Sequence, residues 1–311
     1  MLRSMYAGVS GMKGFQTKLD TIGNNIANVN TYGFKKGRTT FQDMMSQTMS
    51  GAQGPLVAQG GEEGDRSLGG INATQVGLGS QVGSVDDLHT QGNRQTTNRT
   101  LDLSIAGDGM FALYDSEGGT DPGNGIPDDA NMTFSRAGNF YLDSDGALVN
   151  GDGKYVVGRT ENDAGNLVAG SITIPNEAQS FSVQSDGTIN YVNGEGETEV
   201  AGRVMLANFS NPAGLLKVGG NEFQNTDNAG WTDAGDPADL ADGELAINGN
   251  LLNTAGQNGT GTVVSGSLEM SNVDLADEFT EMITAQRGFQ ANTRIITTSD
   301  EILNELINLK R

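Results

Sequence analysis

Five large apolar residues near the end of the chain, Leu275, Met282, Phe289, Ile296 and Leu303, stand seven apart. A heptad is the period of helices that wind around one another, because about 3.5 residues per turn keeps one stripe facing a partner. Phe279, Ile295, Ile302, Leu306 and Leu309 widen the stripe, Asn272 or Asp274 can cap its start, and Glu281 follows as an early acid. The spacing predicts a helix over residues 273–308, roughly 50 Å long at about 1.5 Å per residue. The opening of the chain repeats the pattern. Leu2, Met5, Val9, Met12, Phe15, Leu19, Ile22, Ile26 and Val29 follow one another in steps of three and four. Gly8, Gly11, Gly14 and Gly23 interrupt that helix, at a cost of about 1 kcal/mol each. Neither helix carries enough apolar surface to hold itself together, so both depend on pairing with each other and with further copies of the chain. The candidate assembly seam is therefore Leu2, Met5, Val9, Met12, Phe15, Leu19, Ile22 and Ile26 with Leu275, Phe279, Met282, Phe289, Ile296 and Leu303.

Between the two ends the period changes. Asn-Gly begins at positions 124, 150, 193, 248 and 258, and Asp-Gly at 108, 145, 152, 186 and 242. Such pairs supply the left-handed backbone that tight hairpins need. They punctuate short apolar runs such as Leu101–Ile105, Met110–Tyr114, Met132–Phe134, Tyr155–Val157, Phe181–Gln184, Thr188–Val192 and Arg203–Phe209. The expected fold is a mainly β body with long α-helical N- and C-terminal segments that pair as a coiled coil on assembly. The expected division is a terminal helical domain (1–30 plus 273–311), a linker region (31–70 plus 255–272) and an all-β outer domain (71–254).

The charge is unevenly spread. The whole chain carries −21, residues 1–60 carry +4, residues 271–311 carry −3, and the middle therefore holds −22. Weakly charged ends around an acidic body suggest ends that are covered and a body that faces water. Nucleic acid is excluded as a partner, since phosphate binding needs clustered Lys and Arg. No run of apolar residues approaches a membrane span, so no membrane insertion is expected. The chain opens without the charged, apolar and small-residue regions of a cleaved signal peptide. Cysteine is absent, which removes disulfides, thiolate metal sites and a Cys nucleophile.

Few residues offer chemistry. His89, the single histidine, lies in Asp86-Asp87-Leu88-His89-Thr90, and no Gly-x-Ser-x-Gly elbow accompanies it. It reads as structural. The loop from Asp121 to Asp129 has the composition of a calcium site without its spacing, and Asp143-Ser144-Asp145-Gly146 reads as a hairpin turn. Gly107-Asp108-Gly109 opens no helix, so it is no dinucleotide fingerprint. Met1, Met5 and Met12 make a packing stripe. Trp231, the sole Trp, argues against an aromatic carbohydrate platform. No catalytic, cofactor or metal residue is predicted, which leaves a secreted enzyme as the weaker competitor to a structural protein.

Both ends resemble the flagellar rod and hook family. At the N-terminus the resemblance rests on Met1-Leu-Arg-Ser-Met-Tyr-Ala-Gly-Val-Ser-Gly-Met12 and Leu19-Asp-Thr-Ile-Gly-Asn-Asn-Ile-Ala-Asn-Val-Asn-Thr-Tyr-Gly-Phe-Lys-Lys36. At the C-terminus it rests on Gly266-Ser-Leu-Glu-Met-Ser-Asn-Val-Asp-Leu275 and Met282-Ile-Thr-Ala-Gln-Arg-Gly-Phe-Gln-Ala-Asn292. Leu101–Phe111, Phe134–Phe140 and Asn208–Leu215 carry it through the middle. Glu269-Met-Ser-Asn-Val-Asp274 and Asn308-Leu-Lys-Arg311 resemble the hook branch most, with the distal rod branch second. The resemblance implies a self-assembling helical tube, a hook acting as a universal joint that passes motor torque to the filament. It implies no enzyme activity. The implied partners are further copies of the chain, the rod protein, the hook cap, the hook–filament junction proteins and the flagellar type III export apparatus. It also implies an extracellular place in the flagellum, reached without a cleaved signal peptide. Extra residues in the 49–70 stretch go, in this family, with stiffer filaments.

Overall fold

The computed structural model describes residues 2–54, 56–57, 66–115, 126, 131–161, 167–231, 244–247 and 250–309. Contacts divide the chain into two units. One holds Met1–Ile26, Gly37–Asp86 and Leu275–Arg311; the other holds Ala27–Lys36 and Asp87–Asp274.

The first unit is built on two helices, α1 (Leu2–Ala27) and α2 (Leu275–Leu309). Asp277 and Glu278 stand in the first turn of α2, where the exposed N–H groups favour negative charge. The rest of the unit is a two-stranded ribbon. Its strands are β1 (Lys36–Asp43), β2 (Ser46–Ser50), β3 (Leu56–Val57), β4 (Arg66–Leu68), β5 (Thr74–Gly77) and β6 (Ser80–Leu88). The chain folds back on itself, pairing β1 with β6, β2 with β5 and β3 with β4. Residues 46–50, 56–57 and 66–68, expected as linker, are thus strands, while 58–65 lie outside the described residues. β2 and β5 satisfy their backbones by pairing with each other without a buried face, so they leave no alternating apolar pattern to read. β2 and β5 are exposed along their whole length.

The second unit is a β body. Its strands are β7 (Arg94–Thr96), β8 (Leu103–Ala106), β9 (Met110–Asp115), β10 (Asn131–Ser135), β11 (Tyr141–Leu142), β12 (Leu148–Val149), β13 (Tyr155–Glu161), β14 (Leu167–Ser171), β15 (Ser180–Val183) and β16 (Thr188–Val192). After these come β17 (Thr198–Ala207), β18 (Leu216–Gly219), β19 (Glu222–Gln224), β20 (Glu244–Ile247), β21 (Asn250–Thr254), β22 (Thr262–Ser265) and β23 (Ser267–Glu269). At its centre β9, β13 and β17 each pair antiparallel with the other two, through different residues. Where they meet, these strands are buried on both faces, which explains apolar runs such as Met110–Tyr114 and Val204–Ala207. Alternation splits them between two cores. Phe111, Leu113, Val156, Val204 and Leu206 enter one. Met110, Ala112, Tyr114, Val157, Met205 and Ala207 enter the other.

Three of the Asp-Gly pairs work as read, while Asp242-Gly243 lies outside the described residues. Gly146, Gly153 and Gly187 all have positive φ, and each donates its N–H back to close a turn, Gly187 to the Gln184 carbonyl at 3.1 Å. Residues 255–272, expected as linker, contain β22 and β23 instead. Val263 and Leu268 are buried there, because β22 pairs with β8 and β23 with β7. The last strands of the body therefore close on its first ones.

Trp231 reports on the second core. Its ring lies 5.0 Å from Phe134 and 6.0 Å from Phe209, and Phe134 is fully buried. Phe134→Ala should cost about 3–5 kcal/mol. The measurement is guanidinium unfolding followed by Trp231 emission, and an unmoved midpoint would remove Phe134 from the core.

Candidate assembly interface

α1 and α2 run antiparallel along each other. The Asn25 amide donates to Glu278 at 3.2 Å near one end. Lys18 pairs with Glu281 at 3.1 Å, and Thr293 Oγ1 approaches Met12 Sδ at 3.9 Å further along. Antiparallel pairing brings the two chain ends into one hairpin-like pair.

The contact face differs from the large-residue stripe. On α2 the buried positions are Glu278, Ala285 and Ser299, with Asn292 half-buried between them. These also stand seven apart, offset from the Met282 heptad, so together they make alternating steps of four and three. On α1 the buried face is Gly8, Gly11, Gly14, Ile22 and Asn25. The glycines read as helix-weakening are the close-approach surface. A Cβ on Gly11 would stand 2.8 Å from the Asn292 amide nitrogen, one on Gly8 3.3 Å from Ile296, and one on Gly288 2.6 Å from the Phe15 ring. Small residues let the backbones approach, and side chains from the facing helix fill the space. Among the α1 glycines, Gly23 alone meets nothing within 4 Å.

The ribbon covers another side of α1. Phe15 packs on Phe41 at 5.6 Å between ring centres. Thr39 donates to Thr21 at 3.0 Å. Asn25 Nδ2 donates to the Gly37 carbonyl and its Oδ1 accepts the Gly37 N–H, both at 2.9 Å. Part of the covering expected from other copies thus comes from the chain itself.

The sequence-predicted seam residues divide accordingly. Ile22 is buried; Met5, Met12, Phe15, Leu19, Ile26, Met282, Phe289, Ile296 and Leu303 are half-buried. Val9, Leu275 and Phe279 are exposed, at 51%, 40% and 50%. The Leu2 side chain lies outside the described residues. Ile283, Ile295, Ile302, Leu306, Ile307 and Leu309 are exposed as well. Sequence reading missed Glu278, Ala285, Asn292 and Ser299 because it sought large apolar side chains. Their own heptad spacing was the available signal.

Other sequence candidates fall elsewhere. Burial, with the Lys35, Arg136 and Lys217 charges adding to it, lowers the His89 pKa to about 4. Its Nδ1 is buried without a hydrogen-bond partner, and its ring meets Phe223 edge-on at 5.2 Å. Such an imidazole is a weak base and a packed ring. Asp143 closes a turn, accepting the Gly146 N–H at 3.0 Å. The Asp121–Asp129 loop, apart from Ile126, lies outside the described residues. Among the described residues no group of three or more His, Asp or Glu is placed to hold a metal ion, and no helix is long and apolar enough to cross a membrane.

Comparison with known proteins fits this architecture. Residues 5–35 match the model described as flagella basal body rod protein, 104–191 the flagellar hook protein FlgE/F/G D1 domain, and 264–309 the flagellar basal body rod FlgEFG protein C-terminal. The flagellar basal-body rod protein FlgG of Bacillus subtilis (strain 168) is 49% identical over 311 residues, covering all of both chains. This chain belongs to the flagellar rod and hook protein family. A second rod relative, FlgG of Borreliella burgdorferi, is 33% identical over 314 residues, again covering both chains fully. The flagellar hook protein FlgE of the same organism is 29% identical over a 468-residue alignment spanning both chains. The family is a structural one, and its matched segments hold α1, much of the β body and α2.

The seam makes two opposed predictions. Gly23→Ala should stabilise the protein by up to about 1 kcal/mol through helix propensity. Gly11→Leu should destabilise it by about 1–3 kcal/mol through overpacking against Asn292. Thermal unfolding of the pair, compared with wild type, reads both; equal effects would remove the close-approach face.

His89 makes a pH prediction. Above pH 6.5 it is neutral in folded and unfolded chains and adds no slope. Between 6.5 and about 4 the unfolded chain takes up a proton that the folded one refuses, so stability falls as pH falls. The loss reaches up to about 3 kcal/mol, less any screening at its solvent-facing edge. Denaturant midpoints at pH 7 and pH 4.5 should show a smaller drop in His89→Gln than in wild type.

Proposed function

We propose that the chain is a distal rod subunit of the flagellar basal body, one that polymerises into a rigid helical tube. The observation that carries this reading is length with identity. The chain aligns end to end with rod relatives over 311 and 314 residues at 49% and 33% identity. The hook relative needs a 468-residue alignment at 29%, so it carries residues absent here. The rod reading therefore replaces the hook branch as the preferred one. The hook cap and the hook–filament junction proteins belong to the hook reading and are not carried over.

The physical arrangement suits a stiff wall. The 49–70 stretch contributes strands to a ribbon, and a paired ribbon bends less readily than a Gly-rich linker. Met45, Met49 and Ile71 on it are exposed, at 84%, 70% and 54%, and neighbouring subunits would cover them. The helix pair would form the inner layer. Phe279 with Ile283, and Ile295 with Ile302 and Leu309, flank the α1 contact face as apolar edges for further copies. The family resemblance supports passage through the flagellar type III export apparatus, with the targeting information in an uncleaved N-terminal region, and a final place outside the cytoplasm.

The test is complementation of two motile strains, one lacking its FlgG-type rod protein and one lacking its hook protein. Restored rods and swimming are expected in the first alone; rescue of the second alone would return the hook reading. Phe279→Asp or Ile302→Asp should abolish polymerisation, because each would place an unpaired charge in an apolar contact between copies. Both side chains are exposed in the single chain, so circular dichroism and unfolding midpoints should stay at wild-type values. Normal tubes from both variants would move the copy-to-copy contact to another face.

A further inference from the structure

The two signature stretches, Tyr32–Lys36 near the N-terminus and Glu269–Asn272 near the C-terminus, meet inside the β body. Glu269 is fully buried at the end of β23. Its Oε1 accepts from Lys35 Nζ at 2.7 Å and from the Gly92 N–H at 2.9 Å, and its Oε2 accepts from Arg136 Nη1 at 3.2 Å. The Lys35 side chain is wholly buried too, and Arg136 is 5% exposed. Lys35 also donates to the Thr90 carbonyl at 2.8 Å, and Arg136 to the Gly107 carbonyl at 2.9 Å. Arg136 Nε has no hydrogen-bond partner. One carboxylate thus holds two buried cations. Burial pushes the Lys35 ammonium below the ordinary lysine range, with Glu269 opposing the shift.

Backbone contacts complete the closure. The Gly33 N–H donates to the Glu269 carbonyl at 2.9 Å, and the Met270 N–H to Asn93 at 2.8 Å. Asn272 Oδ1 accepts the Lys36 N–H at 2.8 Å, while its Nδ2 donates to Leu88 at 2.8 Å. A Cβ on Gly92 would stand 2.0 Å from the Met270 carbonyl, so the C-terminal stretch lies directly on that turn.

We propose that Lys35, Arg136 and Glu269 form a closing latch that makes completion of the body, and through it assembly, wait for the C-terminal stretch. Until Glu269 arrives, packing the body buries two cations without a counter-charge, which is strongly disfavoured. The chain is synthesised N-terminus first, so the N-terminal stretch and the first body strands stay open until the last strands reach them. Along the chain Lys35 follows α1 and Glu269 precedes α2. Closure of the latch ties down the chain segments that continue into both helices, on which assembly depends. This consequence for assembly rests on the polymerising reading above, whereas the latch itself is read in the single chain.

The experiment is hydrogen exchange on the full chain as wild type, as Glu269→Gln, and as the triple variant Lys35→Met/Arg136→Met/Glu269→Leu. The amides of Gly33, Lys36, Gly92 and Met270 report the latch; those of Met110–Asp115 and Thr198–Ala207 report the body centre. In Glu269→Gln the latch amides and those of α1 and α2 should lose at least about tenfold in protection while the body centre keeps its own. The triple variant removes charge and counter-charge together, so protection should return at Gly33, Lys36, Met270 and both helices, and tubes should form again. Gly92 is excluded there, since its acceptor is gone. Wild-type protection in Glu269→Gln would overturn the latch. So would a uniform loss through the body, or a triple variant that fails to recover, since either reports ordinary core damage. If wild type itself forms no tubes, the polymerising reading fails while the exchange pattern still decides the latch.

Discussion

One carboxylate holds the chain's distant stretches together. Glu269 meets Lys35 across 234 residues of sequence and Arg136 across 133, in a site closed to water. Such a group adds little net stability over an apolar core of equal volume, but it tolerates no missing member. The architecture around it has the same dependence. β22 and β23 close on β8 and β7, and the central strands carry a core on each face. A body whose first and last strands are neighbours is finished only when its last strand has arrived. For a subunit whose helices lie at its two extremes, this ordering suits assembly.

The helix pair solves a different problem. Its contact face is mostly small or polar, with Gly8, Gly11, Ala285, Asn292 and Ser299 beside Ile22, Asn25 and Glu278, while several large apolar side chains of α2 stay exposed. In a protein that worked alone this would be inverted. Small residues bring α1 and α2 close and leave the large ones on the flanks. Those flanks stay exposed in the single chain, and the proposed tube would cover them. The exposed ribbon repeats the arrangement in β form: its backbone is satisfied internally and its methionines face outward. Methionine suits such a surface because its side chain adapts to irregular neighbours.

Sequence reading recovered the helices, the β body and the turns because each rests on local chemistry. Heptad spacing marks a helix that must face a partner, and Asp-Gly supplies the positive φ that Gly146, Gly153 and Gly187 adopt. It was less complete at the interface. A stripe of large residues correctly marked the helix, and Ile22 does lie buried, but Leu275 and Phe279 do not. Hydrophobicity says that a side chain seeks cover, not which of two possible neighbours provides it. The stretches at 46–70 and 255–272 were read as linkers for opposite reasons. The first pairs without burying a face, and the second is too short and polar to show that Val263 and Leu268 enter the body.

The sequence by itself determined the class of molecule: helical ends around a turn-punctuated acidic β body, in a family recognisable from its terminal signatures. These follow from periods and turn residues that act over a few neighbours. Tertiary structure alone decided which faces meet. It placed Gly8 and Gly11 against α2 and turned residues 46–50 back on 74–77 as part of a ribbon. It also brought Lys35, Arg136 and Glu269 to a single point. The reason is distance along the chain. Contacts between residues hundreds of positions apart depend on how every intervening strand is stacked, and no local period encodes that.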